Sequence, residues 1–296
     1  MFKRLCIVGV GLIGGSLARA LRAAGAKGEI VGCGRDPDHL RLARDLGVID
    51  CYETDLATAV AGADVVVLST PLGAMAGLFT SLCDHLEADC VITDVGSSKG
   101  SVVNEARAAL TAGQLARFVP GHPIAGTEKS GVEASFAELF HQRRVILTPL
   151  DENLPEAVAR IRLLWEAAGS EVTEMSVAHH DTVLAATSHL PHMLAYTLVD
   201  TLARMHDKDE IFGYAAGGFR DFTRIASSDP VMWRDVCIAN REAILGMIGR
   251  FQADLTLLAE AIEAGDSSVI SDVFNRAKAA RDRYAGRLDA SADVIE

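Results

Sequence analysis

Arg4-Leu5-Cys6-Ile7-Val8-Gly9-Val10-Gly11-Leu12-Ile13-Gly14 opens the chain with a short apolar run that ends in glycines spaced Gly-x-Gly-x-x-Gly. Leu5 to Val8 carries no charge and suits a strand covered on both faces. Ile13 to Ala24 is rich in Ala and Leu and predicts a helix. A strand that turns through three glycines into a helix is the context in which this spacing has physical meaning. Gly9 permits the tight turn, Gly11 lets the backbone approach a pyrophosphate, and Gly14 lets the helix lie close on the strand. The helix start then offers unpaired N–H groups to the phosphates. Gly9, Gly11, Leu12, Ile13 and Gly14 are therefore expected to hold a dinucleotide. The bland alternative is a glycine-rich structural turn.

The same alternation continues through the first half. Glu29 to Cys33, Asp64 to Ser69 and Cys90 to Asp94 read as strands, with Phe118 to Pro120, Val145 to Thr148 and Glu171 to Thr173 as further candidates. Pro37 to Leu46, Pro71 to Leu86, Lys99 to Leu110 and Leu154 to Ala168 read as helices, the first capped by Asp36 ahead of Pro37. Strand–helix alternation of this kind predicts an α/β, Rossmann-type doubly wound parallel sheet. From Ser176 onward helical periodicity dominates, over stretches such as His179 to Met205 and Pro230 to Gly265. We expect a dinucleotide-binding domain over residues 1–174 and an all-α domain over 175–296. The helical apolar faces exceed what a short bundle buries alone, so a homodimer through that domain is expected.

A net charge of −12 with scattered lysines argues against a nucleic-acid partner, which needs clustered Lys and Arg. A small anionic substrate would need a local positive pocket in this acidic protein. The six cysteines form no Cys-x-x-Cys pair and read as reduced thiols of a cytoplasmic protein. The apolar start is broken by three glycines and Arg19, unlike a signal peptide, and no long apolar run predicts a membrane span.

The end of the second strand bears on which dinucleotide is used. An acid about 20 residues after the motif would hold the ribose 2′-OH of NAD. That position is Gly34, and Arg35 follows. A missing acid beside an arginine suits the 2′-phosphate of NADP, so NADP is the preferred cofactor, with Gly34 and Arg35 at its ribose. The counter-reading gives NAD, held by Asp36. Thr70, after the strand at residues 64–69, is also placed on the cofactor.

Four further segments follow in order: Asp94-Val95-Gly96-Ser97-Ser98-Lys99, Gly121-His122-Pro123-Ile124-Ala125-Gly126-Thr127-Glu128-Lys129-Ser130-Gly131, Ser188-His189-Leu190-Pro191-His192, and Gly217-Gly218-Phe219-Arg220-Asp221-Phe222-Thr223-Arg224 with Trp233 beyond. After a dinucleotide motif, this set resembles the prephenate/arogenate (cyclohexadienyl) dehydrogenase family over nearly the whole chain. The stretch from His122 to Glu128 is its most specific part. No regulatory or mutase segment is left over, which resembles the family's minimal form. The resemblance implies NAD(P)-dependent oxidative decarboxylation of prephenate or arogenate, a step toward tyrosine. Hydride leaves the ring carbon that bears the hydroxyl, the hydroxyl proton is taken up, and the ring carboxylate departs as carbon dioxide.

By that resemblance His122 takes the hydroxyl proton, as a neutral imidazole can. Ser97 or Ser98, with Ser98 preferred, contacts the substrate hydroxyl or the nicotinamide side; helix capping is the bland reading. Arg224 grips the ring carboxylate with its guanidinium fork. Ser188 and His192, four apart on one helix face, contact the substrate side chain, and Pro191 between them should kink the helix and free a carbonyl. Arg220 and Asp221 reach toward the site, Glu128 orients or gates the loop, and Thr127 packs at the cofactor. Trp233 reads as an aromatic anchor, and His179 and His180 as exposed residues at a helix start. His122, His189, His192 and Asp94 lack metal-type spacing, and no metal is expected.

Two other readings compete. A β-hydroxyacid dehydrogenase or imine reductase would share the architecture, but the hydroxyacid pattern wants a lysine early in the second domain, and none lies between Lys129 and Lys208. A non-enzymatic dinucleotide sensor would keep the glycines without needing His122 and Arg224 together.

Overall fold

In the computed structural model, residues 2–127 and 129–292 are described. Among these residues nine strands occur in the order β1 (Arg4–Val8), β2 (Glu29–Cys33), β3 (Cys51–Glu53), β4 (Val65–Leu68), β5 (Val91–Asp94), β6 (Phe118–Val119), β7 (Gly121–Pro123), β8 (Arg144–Leu147) and β9 (Glu171–Glu174). Six form a parallel sheet in the order β3-β2-β1-β4-β5-β6. Its central strands are buried along their length because their sequences are apolar on both faces, as in Val65-Val66-Val67-Leu68. Helices α1 (Leu12–Ala23), α2 (Pro37–Asp45), α3 (Leu56–Val60), α4 (Met75–Leu82), α5 (Gly100–Ala109), α6 (Ala112–Leu115) and α7 (Pro155–Ala167) accompany the strands. Leu5, Leu17, Leu21, Val67 and Trp165 are fully buried members of the resulting core.

The expected Rossmann-type sheet is present, with corrections. The sequence reading placed every strand in one sheet. Instead β7, β8 and β9 form a second, mixed sheet in which β8 runs antiparallel to β7 and parallel to β9. β3, α3 and α6 were not foreseen, nor was the strand character of Gly121–Pro123. The stretch from Pro71 to Leu86 is a 3-10 turn at Leu72–Ala74 followed by the shorter α4.

Beyond β9 the chain is helical: α8 (Val177–Leu184), α9 (Leu190–Ala203), α10 (Lys208–Gly213), α11 (Gly217–Thr223), α12 (Pro230–Ala239), α13 (Arg241–Glu263) and α14 (Ser267–Ala292). A π-helical turn, Ala185–His189, joins α8 to α9. Pro191 therefore does not break the helix, which widens just ahead of it. The chain divides into two compact units, Met1–Arg241 and Glu242–Glu296. The second holds most of α13 and the described part of α14, and the turn between these helices contains Gly265 at φ +66°. Large apolar side chains, among them Leu245, Leu255, Leu257, Ile262 and Phe274, are exposed on it. Among the described residues no helix is long and apolar enough to cross a membrane, and no group of three or more His, Cys, Asp or Glu is placed to hold a metal ion.

Candidate active site

The glycine turn and the loops after β4, β5 and β7 surround a cavity of about 410 Å³. Gly11, Leu12, Ile13, Thr70, His122 and Thr127 are the foreseen residues that line it. The three glycines do different work. Gly9 has φ +95°, and a methyl there would fall 2.3 Å from the Ser69 carbonyl oxygen. A methyl at Gly14 would fall 2.4 Å from the Gly9 carbonyl oxygen and 2.8 Å from Ile7. At Gly11 nothing among the described residues lies within 4 Å, so no protein contact demands a glycine there. The start of α1 has no side-chain cap, and the Thr70 hydroxyl is buried without a partner among the described residues. Open space at Gly11, uncapped N–H groups and an orphaned hydroxyl together suit a dinucleotide.

Gly34 and Arg35 follow β2, with Arg35 exposed. Asp36 accepts hydrogen bonds from the backbone N–H groups of Asp38 and His39, so it caps α2 as expected.

His122 sits in the middle of β7, held from beneath by a buried ion pair. Lys99, fully buried, pairs with Asp94 at the end of β5 and donates from Nζ to the Gly121 carbonyl at 2.6 Å. Asp94 accepts from the backbone N–H of Gly96 at 2.8 Å and of Gly121 at 3.2 Å. The residue before His122 is thus pinned to the main sheet through both its N–H and its carbonyl. Burial pulls the basicity of Lys99 down, and contact with Asp94 opposes it.

His122 Nδ1 lies 2.9 Å from His180 Nε2, and His180 Nδ1 lies 2.8 Å from Asp181 Oδ1. His180 is fully buried, which corrects its reading as an exposed helix-start residue. Burial, then the charges of His180, Lys99 and His189, push the His122 pKa well below the usual histidine value, so the ring is neutral near pH 7. Burial also lowers His180, against its hydrogen bond to Asp181. Burial works to raise Asp181, but hydrogen bonds from His180 and from the Lys99 and Gly100 N–H groups outweigh it and hold the carboxylate low.

The neighbouring serines face different ways. Ser97 lines the cavity, whereas the Ser98 hydroxyl is fully buried and points at Asp181 Oδ2, 3.4 Å away.

Ser188, His192 and Arg224 lie outside the cavity lining, in an adjoining cluster. His192 stacks on Trp233 with ring centroids 3.6 Å apart, and its Nδ1 lies 2.9 Å from the Ser188 carbonyl. Burial lowers His192, the Ser188 carbonyl opposes that, and the nearby charge of Arg224 adds to the lowering. Met232, next to Trp233, is a cavity wall, and Trp233 is the buried anchor expected of it. Arg220 and Asp221 are exposed on α11 and pair with each other at 3.4 Å. Glu128 falls outside the described residues.

Sequence reasoning missed Ser69, Lys129, Ser228 and Asp229 among the cavity walls, and the roles of Lys99, His180 and Asp181. A signal for His180 was available. It precedes the buried Leu184 by one helical repeat, so the helix phase turns it inward.

The nucleotide-binding domain of prephenate dehydrogenase matches residues 17–174, and the dimerization domain of prephenate dehydrogenase matches residues 176–276. The chain belongs to the prephenate dehydrogenase family. It is 38% identical to the cyclohexadienyl dehydrogenase of Zymomonas mobilis over 95% of this chain and 96% of that one. Among solved structures it is similar to prephenate dehydrogenase from A. aeolicus in complex with hydroxyphenyl propionate and NAD+, with TM-score 0.89 and 39% identity over 96% of this chain and 98% of that one. It is also similar to Synechocystis arogenate dehydrogenase, with TM-score 0.79 and 28% identity over 95% and 99%. A prephenate dehydrogenase family member is an oxidoreductase that uses a nicotinamide dinucleotide and carries out oxidative decarboxylation of a cyclohexadienol. The hydroxyacid dehydrogenase and sensor readings fall away.

Proposed function

We propose that this chain oxidises prephenate, arogenate or both, with His122 as the acceptor of the ring hydroxyl proton and NADP favoured over NAD. The observation that carries the residue assignment is a neutral, buried imidazole at the wall of the dinucleotide cavity. Its Nδ1 is engaged by His180, which leaves Nε2 as the ring nitrogen that can accept. A bound nicotinamide dinucleotide, held at Gly11, Leu12, Ile13 and Thr70, would supply the hydride acceptor for oxidation of the carbinol carbon. His122 draws off the hydroxyl proton as that carbon is oxidised. Loss of carbon dioxide leaves the electron pair in the ring as a phenolate, to which His122 can return the proton. Of the two serines, Ser97 is the better placed to touch the ring hydroxyl, and Ser98 acts through Asp181.

Arg224 is proposed to hold the ring carboxylate, with Ser188 and His192 at the side chain of the substrate. That its charge works against protonation of His192, which stacks on Trp233 beside the cavity-wall residue Met232, supports this reading. Arg224→Ala should raise KM about 10- to 100-fold, the size of a lost charge-assisted hydrogen bond, with a smaller change in kcat. Initial rates against substrate concentration check this, and an unchanged KM would remove Arg224 from the site. We place Arg220 and Asp221 at its approaches and Glu128 on its loop, as the family resemblance suggests.

NADP is favoured because Gly34 stands where an NAD site carries an acid, Arg35 is exposed beside it, and Asp36 spends a carboxylate oxygen on capping α2. Residues 1–174 would bind the dinucleotide, and residues 175–296 would supply substrate contacts and pair two copies. The match to a dimerization domain and the exposed apolar side chains of α13 and α14 support a homodimer. Six unpaired thiols suit a reducing, cytoplasmic setting.

The test is absorbance of the reduced nicotinamide with prephenate or arogenate, each paired with NAD or NADP. Turnover in at least one combination is expected, with a higher kcat/KM for NADP that Arg35→Ala lowers about 10-fold. Dinucleotide binding with no turnover in any combination would defeat the proposal.

A further inference from the structure

We propose that His180 and Asp181 are positioning residues that set which nitrogen of His122 carries its proton. The inference rests on His122 being the proton acceptor, and it follows from donors and acceptors taken in turn. The Asp181 carboxylate can only accept, and it lies 2.8 Å from His180 Nδ1, so that nitrogen carries hydrogen. A neutral His180 then has a lone pair at Nε2. That lone pair faces His122 Nδ1 at 2.9 Å, so the His122 hydrogen sits on Nδ1. His122 Nε2 is left with its lone pair, which is the form a proton acceptor needs. With the opposite tautomer at any link, two N–H groups or two lone pairs would face each other.

The carboxylate is itself fixed. Its Oδ1 accepts from the Lys99 N–H at 2.8 Å and its Oδ2 from the Gly100 N–H at 2.8 Å, where α5 begins. Asn240 Nδ2 donates to the Asp181 carbonyl at 2.9 Å and reaches His189 Nδ1 at 3.1 Å. The charged and titratable groups around His122 are Lys99 with Asp94, His180 with Asp181, and His189. Lys99 and His189 work against a second positive charge. When His122 takes a proton, the imidazolium is one hydrogen bond from His180 and two from the Asp181 carboxylate, which offsets that opposition. Depressed basicity at rest and the capacity to accept a proton are thus compatible in one residue.

If Asp181 served only to cap α5, and His180 only to fill space, changing His180 would alter stability alone. The first measurement is therefore ¹H–¹⁵N long-range correlation spectroscopy of the histidines in the wild-type protein without substrate. Protonated Nδ1 and unprotonated Nε2 at His122 are expected, and the reverse would overturn the proposal whether or not the protein turns over prephenate. The second is kinetic. His180→Leu removes the acceptor and should lower kcat about 100-fold, the low end of what a positioned base contributes, with KM and dinucleotide Kd within about 2-fold. His180→Gln, which can still offer an oxygen to His122 Nδ1, should recover part of the loss. Full activity in His180→Leu would overturn the proposal. If that variant does not fold, the wild-type tautomer decides the matter alone.

Discussion

His122→Asn is expected to lower kcat by about 100- to 10,000-fold, the range contributed by a positioned general base. The dinucleotide Kd should stay within about 2-fold, because the glycine turn and the loop at Thr70, rather than the imidazole, are proposed to hold the cofactor. Stopped-flow or steady-state rates together with a dinucleotide fluorescence titration would check both halves. Retention of most of kcat would remove His122 from the reaction. The wild-type pH profile should agree. A base whose pKa is depressed by burial is already neutral at pH 7 and becomes protonated only at lower pH. The acid limb of kcat/KM should therefore fall below the ordinary histidine range, since free enzyme is what that limb reports. His122→Asn should lose the limb along with the rate.

The glycines of the dinucleotide turn should separate into one structural and one functional position. Gly14→Ala forces a methyl to within 2.4 Å of the Gly9 carbonyl oxygen, so α1 has to move off β1. A loss of about 1–3 kcal/mol of stability is expected, as for overpacking elsewhere in cores. Gly11→Ala meets no neighbour within 4 Å among the described residues, and its φ of −94° lies outside the left-handed region that favours glycine. Its melting temperature should match that of the wild type, while the dinucleotide Kd rises at least about 10-fold because the methyl occupies space kept for the pyrophosphate. Thermal unfolding and a binding titration on both variants would show the split. Equal melting temperatures for the two variants, or an unchanged Kd in Gly11→Ala, would contradict it.

Much of the nucleotide-binding half was legible because its signals are local. β1, β2, β4 and β5 are apolar runs, and Asp36 ahead of Pro37 marks a helix start by its own chemistry. What escaped was set by pairing. β3, Cys51–Glu53, is three half-buried residues, too short a run to show a strand period. β7 is Gly-His-Pro, a loop by composition, and becomes a strand only because it pairs with β8. That β8 and β9 leave the main sheet is likewise a matter of partner choice, on which an apolar run is silent. At the site, the motif around His122 pointed to a segment that lines the cavity, yet the groups that support that segment were hidden. Lys99 and Asp94 meet because the short turn between β5 and α5 folds back on itself, and His180 was passed over for want of a motif although helix phase buried it.

The π turn at Ala185–His189 carries a consequence for how this region can vary. Each residue of a regular helix advances the side-chain direction by about 100°, so a wide turn acts as a fixed angular offset between the segments it joins. His180, on the near side, faces His122, while His192, on the far side, stacks on Trp233. Both orientations depend on the number of residues between them more than on which residues those are. Removing one residue from the turn could restore a regular helix and leave every side chain in place chemically, yet swing one histidine or the other off its target. In this segment, residue count is itself a coordinate of the active site.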